Sequence, residues 1–136
     1  MKYGFATVAA AVPRVKVADT HYNILAIEEQ IAIANSRGVE LIVFPELSIT
    51  GYSCQDLFHS QLLLEKAEEA LMHLLDFSRK LDIISVVGMP VAVGDILLNC
   101  AVVVQQGVII GIVPKTFLPN YGEFYEKRWF CSALDI

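Results

Sequence analysis

Charged residues are scarce in this sequence, and basic ones especially so. They make up 18% of the 136 residues, with ten Lys and Arg against fifteen Asp and Glu, for a net charge of -5. No cluster of basic side chains is present, whereas proteins that bind nucleic acids usually carry a basic face. The apolar segment 83–94 is too short, and too interrupted by Gly and Pro, to span a bilayer. We therefore expect no nucleic-acid partner and no membrane segment.

Cysteine and histidine are also rare, with three residues of each. Cys54, Cys100 and Cys131 are an odd number at unrelated spacings, which indicates free thiols in a reducing compartment, the cytoplasm, rather than a disulfide framework. The histidines have no ligand-like spacing with cysteines or carboxylates, so no metal site is predicted. The N-terminus lacks the pattern of a signal peptide, and we expect none.

Apolar residues, in contrast, are abundant at 55% of the chain. Such a composition favours an α/β protein whose strands are covered on both faces, or a part of one that expects a covering partner. A length of 136 residues corresponds to about one domain. No internal repeat, linker or low-complexity stretch divides it.

The order of apolar segments predicts a largely parallel sheet that ends in antiparallel strands. A strand at 2–11 precedes a helix that is capped by Asp19 or Thr20 and stopped by Gly38; a strand at 40–44, a helix at 60–80 and a strand at 83–88 follow. This alternation is typical of parallel strands joined by right-handed crossovers. The pairs Gly94-Asp95 and Gln106-Gly107 are hairpin signals between the apolar runs 83–88, 96–104 and 108–113. From Pro114 onward the chain is aromatic and irregular.

Two charged residues follow strands directly, each after a proline. Glu46 follows Leu-Ile-Val-Phe-Pro, and Lys115 follows Ile-Ile-Gly-Ile-Val-Pro. Ligands of open α/β sheets collect beyond the carboxyl ends of the strands. Glu123 lies among aromatic residues eight positions after Lys115, which is the obvious cation to pair with it, although Lys127 and Arg128 are also near in sequence. Position alone is equally compatible with solvated loop charges.

A carboxylate and an ammonium group at one site supply two of the three parts needed for acyl transfer. The carboxylate can move a proton, and the ammonium can meet a developing oxyanion. The third part is a nucleophile, and cysteine is the usual one beside a carboxylate base. Cys100 lies inside an apolar strand and Cys131 in an undefined tail, so Cys54 is the only cysteine in a loop near Glu46. On the residues alone, the site is incomplete.

Two segments resemble the catalytic motifs of the nitrilase superfamily of carbon–nitrogen hydrolases. Residues 44–52 read Phe-Pro-Glu-Leu-Ser-Ile-Thr-Gly-Tyr, and residues 114–123 read Pro-Lys-Thr-Phe-Leu-Pro-Asn-Tyr-Gly-Glu. The sequences of residues 51–58 and 120–130 are more specifically similar to the glutaminase domain of glutamine-dependent NAD synthetases. The resemblance implies an α/β fold, a partial αββα sandwich with one mixed sheet and helices on one face.

The resemblance also implies roles for individual residues. Glu46 would be the general base, Lys115 would stabilise the tetrahedral oxyanion, and Glu123 would support the lysine or orient the substrate amide. Tyr121 matches a position that contacts glutamine, and Phe124 would help to wall the same pocket. Core packing is the alternative for both aromatic residues.

In that family the nucleophilic cysteine stands in a Cys-Glu-Asp-like motif well beyond the lysine, and no such motif occurs here. We therefore expect residues 1–136 to be the N-terminal part of the domain, without a second domain and without glutaminase activity alone. The resemblance implies glutamine and nicotinic acid adenine dinucleotide as substrates, a homo-oligomer, and ATP and Mg in a synthetase domain elsewhere, with no cofactor in this segment. The alternatives are a stand-alone amidase, a carbamoyl-amine hydrolase, or a non-catalytic association module.

Overall fold

The computed structural model describes residues 3–136, which form one five-stranded mixed sheet and two α-helices. In chain order the elements are β1 (Val8–Ala10), α1 (Thr20–Ser36), β2 (Leu41–Val43), α2 (Gln61–Ser78), β3 (Ile84–Val93), β4 (Ile96–Gln105) and β5 (Val108–Pro114). Short 3-10 helices lie at Gln55–His59, Glu126–Arg128 and Ala133–Asp135. The predicted α/β class is confirmed.

The strands lie in the sheet in the order of the sequence, β1-β2-β3-β4-β5. β1, β2 and β3 are parallel neighbours, whereas β4 and β5 are added as antiparallel hairpins. The two parallel connections run through α1 and α2. Because the strand order advances in one direction, crossovers of one handedness place both helices on the same face. Both helices accordingly share one hydrophobic core with β2, β3 and β4.

Local sequence explains both helix starts. Asp19 caps α1, since its carboxylate accepts the Tyr22 N–H at 3.0 Å. Ser60 caps α2 in the same way through the Leu63 N–H at 3.4 Å. Such side chains satisfy backbone donors that have no partner inside the first turn. The apolar face of α1 is buried as its three- and four-residue spacing predicts, by Ile24, Ile27, Ile31 and Ala34.

Glu28 is buried although it lies off the apolar stripe formed by Ile24, Ile27 and Ile31 on α1. It is only 5% exposed, and its carboxylate lies 2.6 Å from Nδ1 of His73 on α2. The reason is the direct packing of α2 beside α1, which covers a second side of that helix. Burial raises the pKa of Glu28, although the hydrogen bond and charge of His73 act against that rise.

Two strands differ from their predicted lengths. The strand expected at 2–11 is only Val8–Ala10, with Lys2 outside the described residues, and two of its three side chains are exposed on the face of the sheet that carries no helix. The strand expected at 83–88 continues to Val93, because it pairs with β4 along its whole length. Both hairpin turns form as predicted; Gln106 and Gly107 each adopt a positive φ, 50° and 77°, as two-residue turns of this kind require.

One face of the sheet carries no helix and is apolar. Val8 is 63% exposed and Val43 is 42% exposed, whereas their alternating neighbours Ala9 and Ile42 pack into the core beneath the helices. Neither helix of the described residues is long and apolar enough to cross a membrane. The candidate site lies at one end of this sheet, where β2 and β5 finish.

Candidate active site

Glu46 lies in a tight turn that follows β2. The Phe44 N–H still pairs with the Val86 carbonyl of β3 at 2.9 Å, and Glu46 comes two residues later. Leu47, the next residue, is buried and has a left-handed φ of 53°. That conformation costs a residue with a Cβ about 1 kcal/mol. The surrounding structure must therefore hold the turn in place.

Gly88 of β3 allows this turn to pass directly over the sheet. A Cβ at Gly88 would lie 2.3 Å from the backbone nitrogen of Leu47. Gly88 also binds the turn on both sides, since its N–H donates to Oγ of Ser48 and its carbonyl accepts the Ile49 N–H, each at 3.0 Å. This close approach carries Glu46 across β3 to the ends of β4 and β5.

Lys115 comes directly after β5 and reaches two carboxylates. Its Nζ donates to Oε1 of Glu46 at 2.8 Å and to Oε1 of Glu126 at 3.1 Å. Burial by itself lowers the pKa of Lys115, but these hydrogen bonds and the two negative charges together raise it above its ordinary value. Lys115 is therefore held as a cation at neutral pH.

Glu126 is the buried member of this cluster. Its side chain is 2% exposed, and it accepts a hydrogen bond from the Tyr52 hydroxyl at 2.5 Å in addition to that from Lys115. A buried carboxylate is stable only with such partners. Partial burial and the bond to Glu126 raise the pKa of Tyr52, so the phenol stays protonated and remains the donor.

Asn99 of β4 completes the group. It is 3% exposed, and its Nδ2 donates to Oε1 of Glu46 at 2.5 Å. The backbone carbonyl of Asn99 accepts the backbone N–H of Lys115 at 2.7 Å. The amide nitrogen is the group that faces the carboxylate, since only the nitrogen can donate to an ionised acceptor.

These residues border a cavity of about 320 Å³ on the open face of the sheet, lined by Glu46, Lys115, Asn99 and Gly88 among others. The structure thus brings Glu46 and Lys115 into one pocket, as expected for residues at strand ends. The two strands that precede these residues are not neighbours, since β3 and β4 lie between β2 and β5. The Gly88 crossing bridges this gap.

A family model described as carbon-nitrogen hydrolase matches residues 6–132. The chain belongs to the carbon–nitrogen hydrolase family.

Relatives of this carbon–nitrogen hydrolase include larger enzymes. A glutamine-dependent NAD(+) synthetase from Mycobacterium tuberculosis is 37% identical over 127 residues, which are 93% of this chain and 19% of that protein. The crystal structure of a glutamine-dependent NAD(+) synthetase from Cytophaga hutchinsonii matches with a TM-score of 0.88 and 33% identity, over 93% of this chain and 22% of that one. The chain thus spans about one fifth of the length of these relatives.

A smaller protein shares the fold. The structure of a Nesterenkonia amidase from the nitrilase superfamily matches with a TM-score of 0.77 and 24% identity, over 91% of this chain and 47% of the amidase. At that identity the likeness concerns the fold alone. This chain thus spans about half of the length of that amidase.

Glu123 lies elsewhere than the predicted pairing with Lys115 requires. The side chain is exposed, and Glu126 is the second carboxylate on Lys115. The turn between Tyr121 and Phe124, closed by a 2.9 Å backbone hydrogen bond, directs Glu123 outward before the 3-10 helix directs Glu126 inward. The expected contact between Glu123 and Lys115 is therefore corrected, while a role for Glu123 toward the substrate stays a prediction.

The two aromatic residues predicted to contact substrate lie at the same turn as Glu123. Tyr121 is 73% exposed, so the core-packing alternative does not hold for it. Phe124 is half-buried and meets the Tyr121 ring edge-on, with 6.1 Å between centroids. Phe124 and Glu123 also line a small cavity of about 40 Å³ beside Tyr52. The substrate-binding roles stay predictions.

Two of the three cysteines are poor nucleophiles. Cys54 is 2% exposed, and its thiol donates to the Thr50 carbonyl at 3.2 Å; burial raises its pKa. Burial likewise raises the pKa of Cys100 to about 11. A catalytic thiol needs the opposite shift. Within residues 3–136, no group of three or more potential ligands could hold a metal ion.

The sequence reading missed three residues of this cluster, and two of them left a signal. Asn99 is a lone amide in the apolar strand Leu-Leu-Asn-Cys-Ala, and a buried amide needs a partner. Glu126 stands four residues before the buried Phe130, a spacing that places both on one side of a helical turn. Tyr52, next to Gly51, gave no comparable indication of its partner.

Proposed function

We propose that this chain is the N-terminal part of the glutamine amidohydrolase domain of a glutamine-dependent NAD synthetase. The ammonia released from glutamine would serve the amidation of nicotinic acid adenine dinucleotide. The observation that supports this most is the 2.8 Å contact between Lys115 and Glu46 beside an open pocket, in a chain whose relatives at 33–37% identity carry that name.

Each charged group has one chemical task in the proposal. Glu46 takes the proton of a cysteine thiol, and the thiolate attacks the side-chain carbonyl carbon of glutamine. Lys115 stabilises the tetrahedral oxyanion by charge and hydrogen bonding. Glu46 then returns its proton to the leaving nitrogen, and ammonia departs. In the second half Glu46 deprotonates a water molecule, whose oxygen attacks the thioester carbonyl carbon. The C–S bond breaks, glutamate leaves, and Glu46 returns its proton to the cysteine sulfur.

Glu126 and Tyr52 prepare Lys115 for this task. Because Glu126 is buried and hydrogen-bonded on two sides, it fixes the direction of the ammonium group without needing to move. An ammonium held in this way needs little reorganisation when the oxyanion forms. When the Lys115 ammonium turns from Glu46 toward the oxyanion, its hydrogen bond to Glu126 remains and keeps it in place.

The nucleophile in this proposal is a cysteine outside residues 1–136. The raised pKa of the Cys54 and Cys100 thiols supports that assignment, and so does the coverage of less than half of the amidase fold. Residues 1–136 alone would then release no ammonia. The apolar sheet face around Val8 and Val43 would be covered by the rest of the domain.

The test uses the full-length protein that carries this chain and measures ammonia release from glutamine. Glu46→Gln removes the proton acceptor but keeps the shape, so kcat should fall by about 10²- to 10⁴-fold. Glu68 is an exposed carboxylate on α2. Glu68→Gln makes the same chemical change away from the pocket, so it is the matched control and should retain full activity. Unchanged ammonia release by the Glu46→Gln protein contradicts the proposal.

The same protein separates the alternatives. A glutamine-dependent synthetase forms NAD from nicotinic acid adenine dinucleotide when glutamine and ATP are supplied. A stand-alone amidase or carbamoyl-amine hydrolase instead hydrolyses simple amides or carbamoyl compounds without ATP. A non-catalytic association module releases no ammonia from any of them.

A further inference from the structure

Asn99 is a buried residue that binds Glu46 through its side-chain amide and the backbone of Lys115 through its own backbone. Its side-chain amide donates to Oε1 of Glu46 at 2.5 Å, and its backbone carbonyl accepts the backbone N–H of Lys115 at 2.7 Å. It lies in β4, between the two strands that deliver Glu46 and Lys115. A single rigid strand residue therefore sets the position of the carboxylate relative to the lysine.

The hydrogen bonds to Glu46 are unevenly distributed over its two oxygens. Both Asn99 Nδ2 and Lys115 Nζ donate to Oε1, whereas Oε2 has no hydrogen-bond partner among residues 3–136. Two donors on one oxygen leave the other as the freer acceptor. They also oppose rotation of the carboxylate, because a turn that exchanged the oxygens would have to break both bonds.

We propose that Asn99 is a positioning residue that reserves Oε1 of Glu46 for the lysine side and presents Oε2 as the oxygen that accepts the proton. This inference rests on the proposed role of Glu46 and adds to it a distinction between the two oxygens. Asn99 itself touches no reacting atom. Its effect on turnover arises only through the orientation of Glu46.

An amide suits this position better than the side chains of similar size. Leucine has the same branching of heavy atoms, with bulkier ends, but no donor, so Glu46 would be held by Lys115 alone. An ionised aspartate would place a second negative charge at hydrogen-bonding distance from Glu46. A protonated aspartate, in contrast, has an O–H that can donate as the amide does. The charged groups that face position 99 are Glu46 and Lys115, with Glu126 behind the lysine.

The experiment compares Asn99→Leu and Asn99→Asp in the full-length protein, with kcat and KM for ammonia release from glutamine measured separately. We expect kcat to fall about 10²-fold, as for a reacting group misplaced by about 1 Å, while KM changes less than about threefold. For Asn99→Asp, activity relative to wild type should recover as the pH falls from about 8 to about 5.5, because protonation restores a donor. For Asn99→Leu, that ratio should stay constant.

Val102→Ala is the matched control for a destabilised β4, since Val102 is fully buried in the core of the same strand. It should lower the thermal midpoint without lowering kcat. An equal loss of kcat in the control overturns the inference, as does a wild-type kcat in Asn99→Leu or a change confined to KM. If Asn99→Leu does not fold, the pH dependence of Asn99→Asp decides alone, and a constant ratio overturns the inference.

Failure of this inference differs from failure of the proposed function. Loss of activity in Glu46→Gln together with full activity in Asn99→Leu removes the role of Asn99 and leaves the glutaminase assignment intact. Full activity in Glu46→Gln removes both.

Discussion

Replacing Gly88 by alanine should displace the carboxylate of Glu46 without touching it. The new Cβ would lie 2.3 Å from the backbone nitrogen of Leu47 and 3.0 Å from the carbonyl carbon of Glu46. Both contacts involve backbone atoms, so no side-chain rotation can relieve them. The turn must move by about 1 Å to reach an ordinary contact distance.

A movement of that size has two consequences of different magnitude. Overpacking of this kind destabilises a fold by about 1–3 kcal/mol. It also lengthens the 2.8 Å contact between Glu46 and Lys115 beyond hydrogen-bonding distance if the turn lifts away from the sheet. A reacting group misplaced by 1 Å costs about 10²-fold in rate. Activity should therefore fall much further than the loss of stability alone predicts.

Two measurements check this prediction. Urea unfolding gives the change in free energy, and ammonia release by the full-length protein gives kcat under conditions where the variant is folded. Gly111→Ala on β5 is the matched control, because a Cβ there meets no atom within 4 Å; its free energy of unfolding should change by less than about 0.5 kcal/mol. A Gly88→Ala protein with wild-type stability and wild-type kcat would refute the proposed close approach.

Two further predictions concern ion pairs outside the pocket. The hydrogen bonds of Asp56 to Arg128 and Trp129 lower the pKa of Asp56. The ionised carboxylate therefore stabilises the fold at pH values above the pKa of an aspartate in the unfolded chain, about 4, and this stabilisation is lost at lower pH. The thermal midpoint of wild type should thus approach that of Asp56→Asn as the pH falls below about 4. His73→Ala leaves the buried Glu28 without its partner and should cost about 1 kcal/mol at neutral pH. That cost should shrink in acid, because burial raises the pKa of Glu28 and the neutral carboxyl is cheaper to bury.

Each of these has its own control. Asp76→Asn is the control for the first prediction, because it removes an equivalent surface charge from α2. If the thermal midpoint of Asp56→Asn differs from that of wild type by the same amount at every pH, the pairing of Asp56 with Arg128 is contradicted. For the helix pair, Glu28→Leu added to His73→Ala should recover most of the lost stability. A His73→Ala protein as stable as wild type argues against burial of an ionised Glu28.

The parts of the site that follow strand ends could be predicted from sequence. Glu46 and Lys115 each come after an apolar run and a proline, and that local pattern is sufficient to place them at one edge of the sheet. The choice between Glu123 and Glu126 was not accessible in this way. It depends on which direction an irregular segment turns, and that direction is set by long-range packing of Phe130 and Trp129 around Phe58.

The fold shows the same division. Periodicity and caps located α1 and α2 to within about two residues, because these signals are local. The extent of β3 and the exposure of β1 were not predicted, since they depend on which strands become neighbours. The need for glycine at position 88 is of this second kind: the residue that excludes a Cβ, Leu47, is 41 positions earlier in the chain.

The crossing of β3 by the Glu46 turn also has a consequence for the order in which the molecule assembles. Glu46 meets its partner on β4 across 53 residues of sequence and the lysine beyond β5 across 69. While only β1, β2 and β3 have formed, the carboxylate of Glu46 would be hydrated and would lack its hydrogen bonds to Asn99 and Lys115. The pocket can form only after both hairpins have docked, so its closure should be among the slow, late events of folding.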